Sequence, residues 1–341
     1  MTVTIHDVLD DLRSNARSER EKGDLFERLI AQYLRTDPKY AAQFSDVWMW
    51  NDWPDRNGAP DTGIDLVAKD RYTGEHSAIQ CKFYAETHHL QKSDIDSFFT
   101  ASGKAPFSQR LIVSTTDHWT SHAEAALEGQ LTPVARLRVQ DLDQAPIDWA
   151  DFSLKTPEVM ERTDHKALRP HQLTALENIR AGFEAHDRGK MIMACGTGKT
   201  FTSLKIVEDL VKPGGTVLFL VPSISLMSQS LSEWTAEADV PLRTFAVCSD
   251  IKVGKRKLGE DIGPYDLAIP ATTNAAKLVE RASTGDDSDR ITVVFSTYQS
   301  IQVISEAQGF GLGDFDLIVC DEAHRTTGVT LMDQDESNFV K

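Results

Sequence analysis

Asp65, Gln80 and Lys82 interrupt a stretch, GIDLVAKDRYTGEHSAIQCKFY (63–84), that otherwise reads as a β-hairpin of apolar strands. With a turn around Thr73 and Gly74, antiparallel register sets Asp65 across from Lys82 and Val67 across from Gln80. Alternation then puts Gln80 and Lys82 on one side, with Ile79, Cys81 and Phe83 on the other. A carboxylate and an amide oxygen, helped by a backbone carbonyl, form an oxygen set suited to Mg2+, and an adjacent ammonium positions a water or stabilises a pentavalent phosphate. The chemistry such a set carries is metal-assisted hydrolysis of a phosphodiester. The same residues also suit an ordinary cross-strand ion pair on a solvated face, worth only about 0.2–1 kcal/mol. Upstream, Glu27 stands on the rim of a helical apolar stripe, one turn after Gly23; a solvated glutamate is the plainer reading there.

A second centre lies at MACGTGKT (193–200), after a short apolar run and before the helical stretch FTSLKIVEDL. This is the setting of a phosphate-binding loop formed by Cys195, Gly196, Thr197, Gly198, Lys199 and Thr200. Gly196 and Gly198 let backbone N–H groups approach phosphate oxygens, Lys199 brings a point charge to the β and γ phosphates, and the Thr200 hydroxyl suits Mg2+. Met193 occupies the first glycine position of the general pattern. DLIVCDEAH (316–324) supplies the partner, a strand that delivers Asp321 and Glu322 at its C-terminal end, with His324 after them. Asp321 would hold Mg2+ through its water shell, and Glu322 would orient and deprotonate the attacking water.

The elements that must position these residues fall into two groups. Residues 19–34 carry Leu25, Phe26, Leu29, Ile30, Tyr33 and Leu34 at helical spacing, followed by β-rich runs at 63–69, 77–83 and 111–115 and helical stretches around KSDIDSFFTAS and SHAEAALEG. Trp48, Trp50 and Trp53 precede the hairpin; stacking on unpaired bases is one use, and core packing is the simpler one. Apolar periodicity lapses after residue 150 and restarts at LRPHQLTALENIRAGF. From there GKMIMA, TVLFLVP, ITVVFST and FDLIVCD alternate with helices, the pattern of a parallel sheet covered on both faces. ASTGDDSDR (282–290) reads as a solvated acidic loop. We therefore expect an α/β protein with a first domain at 1–155, a linker at 156–165 and a second domain at 166–341.

The 341 residues carry 36 Lys plus Arg against 52 Asp plus Glu, a formal net charge of -16. Bulk attraction to nucleic acid is excluded, so any DNA contact needs a local basic track. The four cysteines form no C-x-x-C pair, which argues against a zinc site and a disulfide framework. The N-terminus lacks the apolar run of a signal peptide and no stretch reaches membrane-spanning length, so a cytoplasmic protein is expected.

LRPHQLTAL, ACGTGKT, VLFLVPSISLMSQS, VFSTYQS and DEAH, in that order, resemble the motifs of a superfamily 2 helicase or translocase, a family that commonly relaxes the position of Met193. The resemblance implies that Gln172 reads adenine and that Ser223 and Thr297 touch the nucleic-acid backbone; strand-end hydroxyls capping the next helix would be an equally good use of the last two. G-x-x-x-E, then G-I-D, then Q-x-K resembles the Mrr-like branch of the PD-(D/E)XK nucleases. That implies a mixed central sheet flanked by helices, with Asp65, Gln80 and Lys82 catalytic and Glu27 a supporting metal ligand. The second domain then resembles a RecA-like parallel-sheet first lobe, incomplete because the sequence stops at Lys341, soon after DEAH. Both together, with VWMWNDWP, GIDLVA and AIQCKFY, resemble the N-terminal part of a type ISP restriction-modification enzyme. This implies Mg2+ and ATP as cofactors and double-stranded DNA as partner, with a methyltransferase and a target-recognition domain in the rest of such a chain. It also implies a motor that turns over negligibly without its second lobe. A sensing or DNA-binding ATPase with a degenerate nuclease domain, and a DNA-repair or RNA helicase with an accessory domain, are the alternatives.

Overall fold

The computed structural model describes residues 3–60, 63–150, 152, 153, 156, 159–248, 263–267, 269–285 and 287–323. The first module begins with α1 (Ile5–Asn15), α2 (Glu19–Thr36) and α3 (Pro38–Gln43). Ser18 caps α2 by accepting from Glu21 N, and the expected stripe delivers Phe26, Leu29, Ile30, Tyr33 and Leu34 to the core. The sheet that receives it comprises β1 (Phe44–Met49), β2 (Leu66–Asp70) and β3 (His76–Lys82), then β4 (Phe107–Ser114) and β5 (Val134–Leu137), with α4 (Asp96–Ser102) and α5 (Ser121–Leu127) between. Its order is β1-β2-β3-β4-β5. β1, β2 and β3 pair antiparallel, and β3, β4 and β5 pair parallel. One face packs Leu66, Ala68 and Ile79 under α1 and α2, and the other packs Val67, Ala78 and Ile112 with Trp50, Trp53, Ile95 and Phe98. The tryptophans are core residues. Phe26 is fully buried with its ring 5.3 Å from Phe83, so Phe26→Ala should cost about 3–5 kcal/mol of stability.

The hairpin register differs from the expected one. Leu66 pairs with Ile79, Val67 with Ala78 and Lys69 with His76, a ladder that sets Asp65 opposite Gln80 instead of Lys82. The turn explains it: Asp70 Oδ1 accepts from Tyr72 N at 3.0 Å and from Thr73 N at 2.9 Å, an Asx-type turn that centres the loop one residue earlier. A slip of two residues leaves every side chain on its face, so the sidedness of Asp65, Gln80 and Lys82 survives.

After α6 (Val139–Asp143), β6 (Ile147–Asp148) pairs antiparallel with β7 (Glu161–Arg162), and Met160 is buried in the first core. The expected linker thus contains a strand of the first module. The second module holds α7 (Pro170–Phe183), α8 (Lys199–Leu210), β8 (Thr216–Val221), α9 (Ile224–Glu237) and β9 (Leu242–Val247). It continues with α10 (Ala275–Ala282), β10 (Ile291–Thr297), α11 (Ile301–Gly309) and β11 (Leu317–Cys320). The four strands are parallel in the order β11-β8-β10-β9. GKMIMA, expected to be a strand, forms none, and Ile192 is 86% exposed. Among the described residues β11 forms the sheet's edge and Ile318 on it is 54% exposed; an apolar run makes a strand only where a neighbour completes its ladder. Among the described residues no helix is long and apolar enough to cross a membrane.

Candidate active sites

The nuclease-like residues gather where β2 begins and β3 ends. Asp65 precedes β2 and its N–H donates to Ile79 O at 2.9 Å. Its carboxylate turns toward β3, where Oδ2 accepts from Cys81 N at 2.6 Å. Gln80 is 1% exposed, and its Nε2 donates to Gly63 O at 2.9 Å. That bond fixes the amide orientation and leaves Oε1 buried with no hydrogen-bond partner, a rare and costly state for an amide oxygen. Lys82 ends the strand, half-buried. Burial pushes the Cys81 thiol well up, and the charges of Asp65 and Glu27 push it further while Lys82 opposes them. Among the described residues no three His, Cys, Asp or Glu side chains converge as a metal-ligand group. At this end of the hairpin the oxygen donors are the Asp65 carboxylate and the buried Gln80 Oε1, a chemistry that fits a hard cation.

Gly63 belongs to this site, and the glycine of G-I-D was its signal in the sequence. It adopts φ +84, and a Cβ there would lie 2.8 Å from Ser97 Oγ and 3.4 Å from Gln80 Nε2. The carbonyl that orients Gln80 therefore needs a residue without a side chain.

In the second module Gly196 and Gly198 take φ +74 and +84, and Gly198 caps α8. Lys199 Nζ lies 2.9 Å from Glu322 Oε1, a hydrogen bond that raises the lysine's pKa. Asp321 Oδ1 accepts from Glu322 N at 2.9 Å, and burial raises the Asp321 pKa. Thr200 sits one residue into α8, its carbonyl accepting from Trp234 Nε1 at 3.0 Å, and Cys195 is exposed. Thr197 Oγ1 donates to Ala194 O at 2.7 Å. Gln172 is 3% exposed and braces the loop: Nε2 donates to Thr197 O at 3.3 Å and to Gly198 O at 3.4 Å, while Oε1 accepts from Arg169 N at 2.8 Å. Reading adenine would require it to exchange those bonds. Ser223 caps α9 by accepting from Leu226 N at 3.3 Å, and buried Thr297 donates to Ser300 Oγ at 3.1 Å; both hydroxyls are engaged inside the fold. His324 lies outside the described residues.

Residues 35–159 match the family described as restriction endonuclease, and residues 165–337 match the family described as type III restriction enzyme, res subunit. The solved ATP-dependent type ISP restriction-modification enzyme LlaBIII bound to DNA is 41% identical with a TM-score of 0.82, covering 94% of this chain and 20% of that one. Curated relatives include the probable helicase A859L of African swine fever virus (isolate Pig/Kenya/KEN-50/1950), 31% identical over 41% of this chain and 14% of its own length. The TFIIH basal transcription factor complex helicase/translocase XPB subunit of Trypanosoma brucei brucei is 30% identical over 36% of this chain and 13% of its own. The chain spans about a seventh of these relatives' length. With a restriction-endonuclease domain ahead of a helicase-type domain, it belongs to the restriction enzymes of the type III res-subunit family and is similar, over nearly all its length, to part of a type ISP restriction-modification enzyme.

Proposed function

We propose that this chain is the nuclease and first motor lobe of an ATP-driven restriction enzyme, cutting double-stranded DNA with Mg2+ in the first module and binding ATP in the second. The observation that carries the nuclease half is the buried, unpartnered Oε1 of Gln80 on the same strand face as Lys82 and beside Asp65. Asp65, Gln80 and Glu27 would hold Mg2+, which when bound supplies Lewis-acid charge and a more acidic water. The chain's own part is preorganisation. Gly63 O holds the Gln80 amide in one orientation, Cys81 N–H holds one Asp65 oxygen, and the Lys82 ammonium meets charge developing on the phosphate. Gln is neutral, so this site has one negative charge fewer than a set of carboxylates alone, and modest Mg2+ affinity aided by bound DNA is expected.

In the second module Lys199, Gly196 and Gly198 would hold the phosphates, Thr200 and Asp321 the nucleotide's Mg2+, and Glu322 the attacking water. The Lys199–Glu322 pair must part when a γ-phosphate takes the ammonium. Methyltransferase and target-recognition segments would accompany this chain in a longer enzyme, and a cytoplasmic setting suits cysteines kept as thiols. The test is nicking of supercoiled plasmid with Mg2+ by the wild type, Asp65→Ala and Lys82→Ala. Nicking by the wild type that both variants lose supports the reading. Equal nicking by the wild type and Lys82→Ala contradicts it and favours a domain that only grips DNA.

A further inference from the structure

The hairpin that carries Asp65, Gln80 and Lys82 has a second end. Five residues along β2, roughly 17 Å away at strand rise, its turn presents Tyr72 to the second module. The ring lies 4.0 Å from the Arg243 guanidinium and 5.3 Å from that of Arg290. Arg290 Nη1 donates to Tyr72 Oη at 2.6 Å, and Tyr72 Oη donates to Ala42 O at 3.3 Å. Both arginines are held in place. Arg243, 3% exposed, pairs with Asp287 at 2.8 Å, and Arg290 pairs with Asp289 at 2.7 Å. Gly285, at φ +94, makes room for the ring, since a Cβ there would come within 3.3 Å of it. Gly285, Asp287 and Arg290, in a segment read from sequence as a solvated acidic loop, instead help form the socket for this tyrosine. Asp70 in the same turn adds a pair with Arg281 at 3.5 Å.

A second contact sits at the far edge of the nuclease sheet. Arg136 on β5 meets Asp266 of the second module at 2.7 Å, with side chains 7% and 2% exposed. Arg136 also pairs with Glu124 at 2.7 Å and lies 4.8 Å over the Trp119 ring, and Tyr265 packs on the nuclease core. Parting these surfaces gives up the Arg136–Asp266 pair, the Arg290–Tyr72 hydrogen bond and the Arg243–Tyr72 ring contact together, whereas modules joined only by a linker meet through small polar contacts.

We propose that Tyr72 and Arg136 clamp the nuclease to the motor lobe as one body, with the catalytic hairpin as a strut whose far end is seated in the motor. Movement of that lobe then carries Asp65, Gln80 and Lys82 with it. The proposal does not depend on what the site cuts. It is tested by inserting a site-specific protease sequence at Asp164, which is exposed, cutting the folded full chain and passing it over a gel-filtration column. The two wild-type pieces should co-elute at micromolar concentration. Pieces of Tyr72→Ala/Arg136→Ala should separate, with Kd raised about a hundredfold or more by loss of a cation–π contact and a buried ion pair. Tyr72→Phe, which keeps the ring and loses the hydroxyl, should fall between. Far-UV circular dichroism of the uncut variants confirms that separation reports the interface, and Arg290→Ala tests the same socket from the motor side should the double variant not fold. Wild-type pieces that separate, or variants that hold as tightly as the wild type, overturn the clamp.

Discussion

Gln80→Glu changes one atom of a side chain that is 1% exposed, and the surroundings fix the consequence. Nε2 now donates to Gly63 O at 2.9 Å while Oε1 has no donor. An ionised glutamate puts an acceptor against the Gly63 carbonyl and a buried charge where Oε1 now meets no hydrogen-bond donor. Losing the hydrogen bond costs about 1 kcal/mol and the buried unpaired acceptor about 1–3 kcal/mol more. A protonated glutamate avoids both by donating to Gly63 O, so the folded state raises the pKa of the new carboxyl above its ordinary value of about 4.3. By linkage, the variant should match the wild type below that pH and lose about 2–4 kcal/mol as pH rises to 8. Mg2+ reverses the order, because the added charge is a better ligand; at about 100 times Kd it returns about 2.7 kcal/mol. Thermal melts should show the metal-free variant about 5–15 °C below the wild type at pH 8, with a larger Mg2+-induced rise than the wild type. Coincident melts at pH 8, with equal Mg2+ responses, would mean that the Gln80 amide is not held in this way.

Gly63→Ala forces an alanine into φ +84 beside Ser97 and should lose about 1–2 kcal/mol in urea unfolding, with weaker Mn2+ binding by calorimetry because Gln80 is displaced. In nucleotide-binding assays with a fluorescent ATP analogue, Glu322→Gln should bind at least as well as the wild type, since it releases the ammonium that Glu322 now holds at 2.9 Å, whereas Lys199→Ala should lose binding. Burial raises the Asp321 pKa, so Mg2+-ATP affinity should begin to fall at a pH above the ordinary carboxylate range as Asp321 gains its proton, and Asp321→Asn should flatten that profile.

Legibility in the sequence depended on how local the cause was. The side of the hairpin that bears Asp65, Gln80 and Lys82 was legible although the register was two residues off, because alternation has period two and such a slip preserves it. The phosphate loop was legible because its glycines act through their own φ. The orphaned Oε1 of Gln80 was not, since it depends on Gly63 O, 17 residues away, claiming the other end of the amide. The Arg136–Asp266 pair joins residues 130 apart with no pattern in either neighbourhood, and the acidic loop became a socket through a tyrosine more than 200 positions earlier. GKMIMA shows the converse: its composition suits a strand, and the strand fails for want of a partner edge.

A crystal of this chain soaked in Mn2+, with the anomalous signal mapped, tests the proposed metal site without recourse to activity. A peak is expected within oxygen-ligand distance, about 2.0–2.6 Å, of both Gln80 Oε1 and an Asp65 carboxylate oxygen, and it should vanish in Asp65→Ala. A nuclease module that takes up Mn2+ elsewhere, or leaves Gln80 Oε1 without the ion at saturating concentration, contradicts the assignment of these residues as its ligands.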